Sequence, residues 1–146
     1  MDGKKFGVKV LMFAVACCSL LILAHAQNAL WSAPTTVTIS TFSPYIRVYE
    51  YYSGKEVTSI NFGTLVPGQK VSIYLKIKNT HPNATFYNIY WGSTLSTITD
   101  KISDLWGGSW PITLGPGEYA LKNYYVTVAS DCPIGTYNWT LYLYPG

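Results

Sequence analysis

The chain has 146 residues, 49% of them hydrophobic and only 12% charged, with a formal net charge of +3. Three of its ten basic residues (Lys4, Lys5 and Lys9) precede a long apolar run, so the remainder is almost neutral and carries no nucleic-acid footprint. Past residue 26, seven basic face six acidic side chains, and a single cysteine, Cys132, excludes an intrachain disulfide there.

In chain order, the first element is a leader. A basic stretch (1–9) is followed by fifteen residues, 10–24, that are apolar except for Ser19, and then by Ala24-His25-Ala26. Basic, apolar, small-x-small is the order of a secretory signal peptide with an N-terminal hydrophobic helix, and it predicts cleavage between Ala26 and Gln27. A retained membrane anchor is the competing reading, although a spanning helix needs about 20 apolar residues. Prepilin-type processing after Gly7 is opposed by Lys9, and lipidation at Cys17 by Ala14, where leucine is preferred. Residues 27–146, 120 in number, are enough for one domain and not for two. Export to the cell surface or beyond is the expected localisation.

The domain is dense in turn signals and poor in helix signals. Val66-Pro67-Gly68-Gln69 and Gly115-Pro116-Gly117-Glu118 place Pro and Gly where tight turns need them. Strands are predicted over 35–41, 45–52, 58–62, 70–79, 86–91, 120–129 and 136–144, with a weaker one over 109–114. In 70–79, Val71, Ile73, Leu75 and Ile77 make one row, while Ser72, Tyr74, Lys76 and Lys78 make the other. Burying each of those aliphatics contributes roughly 1.5–3 kcal/mol. In 136–144, Tyr137, Trp139, Leu141 and Leu143 point inward, and Asn138, Thr140, Tyr142 and Tyr144 outward. The stretch 95–106 fits a strand least well. One helical turn over 99–105, capped by Thr99 or Asp100, is expected there. The whole pattern predicts an all-β fold, an immunoglobulin-like antiparallel sandwich of about seven strands, with a small closed barrel as the alternative. The segment 27–41 is an N-terminal arm, with Val37 and Ile39 alternating, that pairs within its own domain or crosses into a neighbour.

Two stretches carry a family resemblance. Phe62-Gly-Thr-Leu-Val-Pro-Gly-Gln-Lys-Val-Ser-Ile-Tyr-Leu-Lys-Ile-Lys-Asn79 resembles the opening of the immunoglobulin-like modules of archaeal and bacterial surface proteins, the adhesion-related and sugar-enzyme-associated types. Tyr125-Val-Thr-Val-Ala-Ser-Asp-Cys-Pro-Ile-Gly-Thr-Tyr137 is similar to their penultimate hairpin. The resemblance implies a sandwich used as spacer, stalk, adhesive or filament unit.

No catalytic constellation is legible. His81 is the one histidine past the leader, the six acids are scattered, and neither a zinc set nor a nucleophile elbow is present. No metal or cofactor is expected; Asp100, Asp104 and Asp131 lack an acidic loop motif. Asn83-Ala-Thr85 and Asn138-Trp-Thr140 satisfy the N-glycosylation pattern. Cys132 is expected to be a half-buried small residue before Pro133, with an interchain bridge as the alternative. The tyrosine surplus points to an interaction surface formed by Tyr74, Tyr124, Tyr142 and Tyr144, suited to self-association or to other surface proteins. Trp106, Trp110 and Tyr119 offer an alternative platform for stacking sugars. Membrane contact is expected only through the leader, if it is retained.

Overall fold

The structure is a computed structural model in which residues 33–146 are described, with side chains from Thr35 onward. The leader, its cleavage site and its competing readings lie outside the described residues.

Nine strands form among the described residues: β1 (Ala33–Thr41), β2 (Ile46–Glu50), β3 (Ser59–Leu65), β4 (Lys70–Asn79), β5 (Phe86–Ser93), β6 (Ile102–Trp106), β7 (Ile112–Leu114), β8 (Tyr119–Val128) and β9 (Tyr137–Pro145). They make two sheets, a five-stranded one in the order β3-β1-β9-β5-β7 and a four-stranded one in the order β2-β4-β8-β6. Each sheet keeps two free edges, so the fold is a two-layer all-β sandwich and not a closed barrel. Val37, Leu75, Ile77, Ile89, Tyr124 and Val126 are fully buried between the layers.

The two central strands of the second sheet are launched by the same device. Gly68 and Gly117 both have positive φ, and the N–H groups of Gln69 and Glu118 close the turns onto Val66 and Gly115 at 3.0 and 3.1 Å. Pro then Gly at the two central positions is the chemistry of a type II turn. In each turn the fourth side chain reaches back to the first N–H: Gln69 Oε1 to Val66 at 2.9 Å, and Glu118 Oε2 to Gly115 at 2.7 Å. The strands that follow pair antiparallel from Lys70 opposite Thr127 to Lys78 opposite Tyr119. Each turn therefore sets the start of one strand at opposite ends of the same ladder.

Asn79 closes β4. It is fully buried, and its Nδ2 lies within 3.0 Å of the Ala84, Leu114 and Gly115 carbonyls while its Oδ1 accepts from the His81 N–H. One amide thus ties the β4–β5 loop to the corner after β7.

The described part of the N-terminal arm, Ala33–Thr41, takes the first of its two expected positions. β1 runs parallel to β9 from Thr35 opposite Tyr137 to Thr41 opposite Leu143, and antiparallel to β3 on its other side. It is an interior strand of its own domain.

Two expectations are corrected. The region 99–105 holds no helical turn. A short 3-10 turn occurs earlier, at Leu95–Thr97, and Ile102–Trp106 is a strand. Asp104 faces inward and Leu105 outward on that strand, which inverts the usual hydropathy of the two rows and disguises the period of two. The predicted strand 58–62 extends to Leu65 through a bulge. Thr35 opposes Gly63 while Thr36 opposes Asn61, leaving Phe62 unpaired; Gly63 sits at φ 66°. The extra residue breaks the alternation that would have revealed the full strand.

Candidate interaction surface

The four tyrosines assigned to a surface separate into three places. Tyr142 and Tyr144 are outward on β9, 39% and 40% exposed, on the outer face of the five-stranded sheet. Tyr74 is outward on β4, 45% exposed, on the opposite side of the molecule. Tyr124 does not belong to any surface.

Tyr124 is fully buried, which corrects its assignment as an outward residue. It shares the inward row of β8 with Val126 and Val128. Its hydroxyl donates to Asp104 Oδ2 at 2.8 Å and accepts from Trp139 Nε1 at 2.9 Å. Burial first, then the Asp104 carboxylate beside it, pushes the phenol well above its ordinary ionisation range. The chain of groups runs from β9 in one sheet to β8 and β6 in the other, so it pins the two layers together through otherwise apolar packing.

The sugar platform does not assemble either. Trp106 is 4% exposed and packs edge-on against Trp110 at 5.7 Å and tilted against Tyr124 at 5.2 Å. Trp110 is half-buried beneath the Lys122 ammonium, which lies 4.8 Å from its ring and donates to the Ser109 carbonyl. Burial lowers the Lys122 pKa. Tyr119 stands apart from both, 58% exposed on the outer row of β8. Trp106 is internal packing and Trp110 is half-buried against it, so neither offers an open ring face for a sugar. A shallow groove beside β7, edged by Ser109, Pro111, Glu118 and Tyr119, is what remains open here.

The outer face of the five-stranded sheet is the more unusual surface. None of its five strands contains an Asp, Glu, Lys or Arg residue. The outward rows of β1 and β9 pair Thr36 with Asn138, Thr38 with Thr140 and Ser40 with Tyr142, and β3 adds Ser59 and Asn61. Tyr90 on β5 opposes Tyr144 with its ring stacked at 5.8 Å and 23°, and Tyr142 tilts against Tyr144 at 5.7 Å. Tyr142 lies over Gly92, its cross-strand partner, and Tyr90 lies over Gly146; a Cβ on either glycine would fall inside the ring's contact distance. The two glycines let the rings lie down on the sheet. Sequence reasoning missed Tyr90, although a tyrosine two residues before a glycine in a strand opposite Tyr142 and Tyr144 is a readable signal once the register is known.

The remaining assignments fall as follows. Asn83 is exposed in the loop between β4 and β5, and Asn138 is exposed on the outward row of β9. His81 staples that same loop: its Nδ1 accepts from the Asn83 and Ala84 N–H groups at 3.1 and 2.8 Å, and its ring meets Tyr45 edge-on at 4.5 Å. Cys132 is 2% exposed, deeper than the half-buried setting expected, so an interchain bridge would require local opening. Among the described residues, no three His, Cys, Asp or Glu side chains gather into a set that could hold a metal ion. Asp104 is bonded to Tyr124, and Asp131 to Lys101 at 2.6 Å.

No protein-family model and no curated protein sequence matches the chain.

Proposed function

We propose that the protein is an exported, non-catalytic surface protein that acts by protein–protein contact, as an adhesion or assembly subunit, through the outer face of the five-stranded sheet. The observation that carries this reading is the absence of charge from all five strands of a sheet whose outer side chains are exposed. Solvent-facing sheets usually carry charged residues, which also guard their edges. Depletion of charge with enrichment of tyrosine is the compositional mark of an interface core. Tyr90, Tyr142 and Tyr144 are anchors of that kind, and because their rings already lie on glycines and on each other, little side-chain freedom is lost when a partner covers them.

A second copy of the chain is the partner this face fits best. A neutral face meets its own copy without repulsion, whereas the lysine-bearing face of the other sheet repels its own copy. The leader supports export, and the surface-module resemblance supports the same class of role. Light scattering and electron microscopy of protein beginning at Gln27 test the reading. Oligomers or filaments that dissociate when a lysine is placed on this face support it. A monomer at high concentration that also captures no surface protein refutes it. An Asn138 glycan would cover the same face, so mass spectrometry of the Asn138 peptide from native material belongs in the same experiment.

A further inference from the structure

The four-stranded sheet presents a different surface, one that the assembly reading does not use. Among its outward residues are Arg47 and Tyr49 on β2, Lys70, Tyr74, Lys76 and Lys78 on β4, and Tyr119, Leu121 and Tyr125 on β8. Two of the three lysines are held among the rings. Lys70 Nζ lies 4.9 Å from the Tyr125 ring centre, and Lys76 Nζ lies between Tyr49 and Tyr119 at 5.5 and 5.7 Å.

Among the described residues no carboxylate forms an ion pair with Lys70, Lys76 or Lys78. Glu56 pairs with Arg47 at 2.8 Å, and Asp131 pairs with Lys101. Glu50 accepts from the Tyr52 and Ser53 N–H groups, Glu118 from Gly115, and Asp104 turns inward to Tyr124. Those two ion pairs are the ones found among the described residues, and neither includes Lys70, Lys76 or Lys78. Three cations therefore stand on one face with no carboxylate partner.

The geometry points to this face as a binding surface for an acidic polysaccharide, a linear polymer bearing carboxylate or sulfate groups. Three features select that chemistry. The lysines demand anions. Lys70 and Lys78 are eight residues apart on one strand, about 27 Å at strand rise, a span that suits a polymer and not a small ion. The ammonium groups already lie over the rings of Tyr49, Tyr119 and Tyr125, which obstructs base stacking and so disfavours single-stranded nucleic acid, whose binding relies on open aromatic faces. The hydroxyls of the exposed Tyr74 and Tyr119 remain to hydrogen-bond sugar hydroxyls, while Asn123 Nδ2 donates to the Tyr125 hydroxyl at 2.9 Å and steadies that ring. An exported protein would meet such polymers outside the cell.

The test is titration of the purified chain with alginate (carboxylated), heparin (sulfated), neutral dextran and an oligothymidylate, at low and at physiological salt. Binding to alginate, heparin or both, weakened by salt and absent for dextran, is expected; which of the two binds distinguishes carboxylate from sulfate recognition. Lys76→Gln should weaken binding roughly 2–5-fold, the range of one exposed charge pair, while Lys101→Gln, which removes the same charge elsewhere, leaves it unchanged. The triple variant K70Q/K76Q/K78Q should lose more than about tenfold with an unaltered unfolding transition. Failure to bind either acidic polymer, equal loss in Lys76→Gln and Lys101→Gln, equal binding of dextran, or tighter binding of oligothymidylate would each overturn the inference. None of these outcomes depends on whether the other sheet self-associates.

Discussion

The two sheets of this sandwich solve the problem of an exposed outer face in opposite ways. The four-stranded sheet carries lysines on its outward row and lays two of them, Lys70 and Lys76, across tyrosine rings. The five-stranded sheet carries no charge and lays its tyrosines on glycines instead. Both faces are rich in tyrosine, yet only one is dressed for water. Aromatic content alone therefore says little about contact; what surrounds the rings decides it. A ring under an ammonium group offers its edge and hydroxyl to an anionic or polar partner, while a ring flat on a neutral sheet offers apolar area to another surface.

The sharpest way to break this contrast is to give the neutral face a charge. Thr38 is exposed in the middle of the sheet, opposite Thr140. Thr38→Lys should weaken self-association about 100-fold or more, because an unpaired charge buried in a contact costs roughly 3–5 kcal/mol; analytical ultracentrifugation reads the change. Next in size is the pin between the layers. Tyr124→Phe leaves the Trp139 N–H without its acceptor and should cost about 1–3 kcal/mol in denaturant unfolding. It should also change the alkaline limb of stability. Unfolded, a tyrosine ionises near 10, whereas folded Tyr124 keeps its proton to higher pH. The unfolded chain therefore binds fewer protons above about pH 10. Stability from this group is complete below that pH and declines as pH rises further. The phenylalanine variant lacks that part of the decline.

A smaller effect is expected at Gly92. An alanine Cβ there would overlap the Tyr142 ring, which can swing outward, so Gly92→Ala should change stability by no more than about 1 kcal/mol. It should nonetheless dissolve the Tyr90–Tyr144–Tyr142 ladder, seen as lost ring-current shifts in NMR spectra, and weaken association. The smallest effect belongs to Ser72→Lys on the other sheet, where the face already bears cations. It should leave both stability, within about 0.5 kcal/mol, and self-association unchanged. If Thr38→Lys and Ser72→Lys behave alike, the contrast between the faces has no functional content.

Much of the architecture could be read from the residues. The alternation in 70–79 and 136–144 placed Leu75, Ile77, Trp139, Leu141 and Leu143 in the interior, and the Pro-Gly pairs marked both turns. What escaped the sequence was wherever a local rule was broken. The Phe62–Gly63 bulge shifted the phase of β3, and the inward Asp104 with the outward Leu105 masked β6. The surface was less legible than the core, for a physical reason. A tyrosine is compatible with either row of a strand, and what holds Tyr124 inside is a hydroxyl that bridges Trp139 and Asp104, partners far away in the sequence. Trp106 and Trp110 lie on either side of a Gly-Gly-Ser stretch that suggests an exposed loop, but their rings turn back under β8. The neutrality of the five-stranded sheet needed the strand order, because its members are scattered from Ala33 to Pro145 and only topology brings them side by side.

Hydroxyl-radical footprinting of the protein, compared between dilute and concentrated solution, tests the central claim most directly. Tyr90, Tyr142 and Tyr144 should become protected on concentration while Tyr74 and Tyr119 stay reactive. Equal reactivity of the two sets at every concentration would contradict the account.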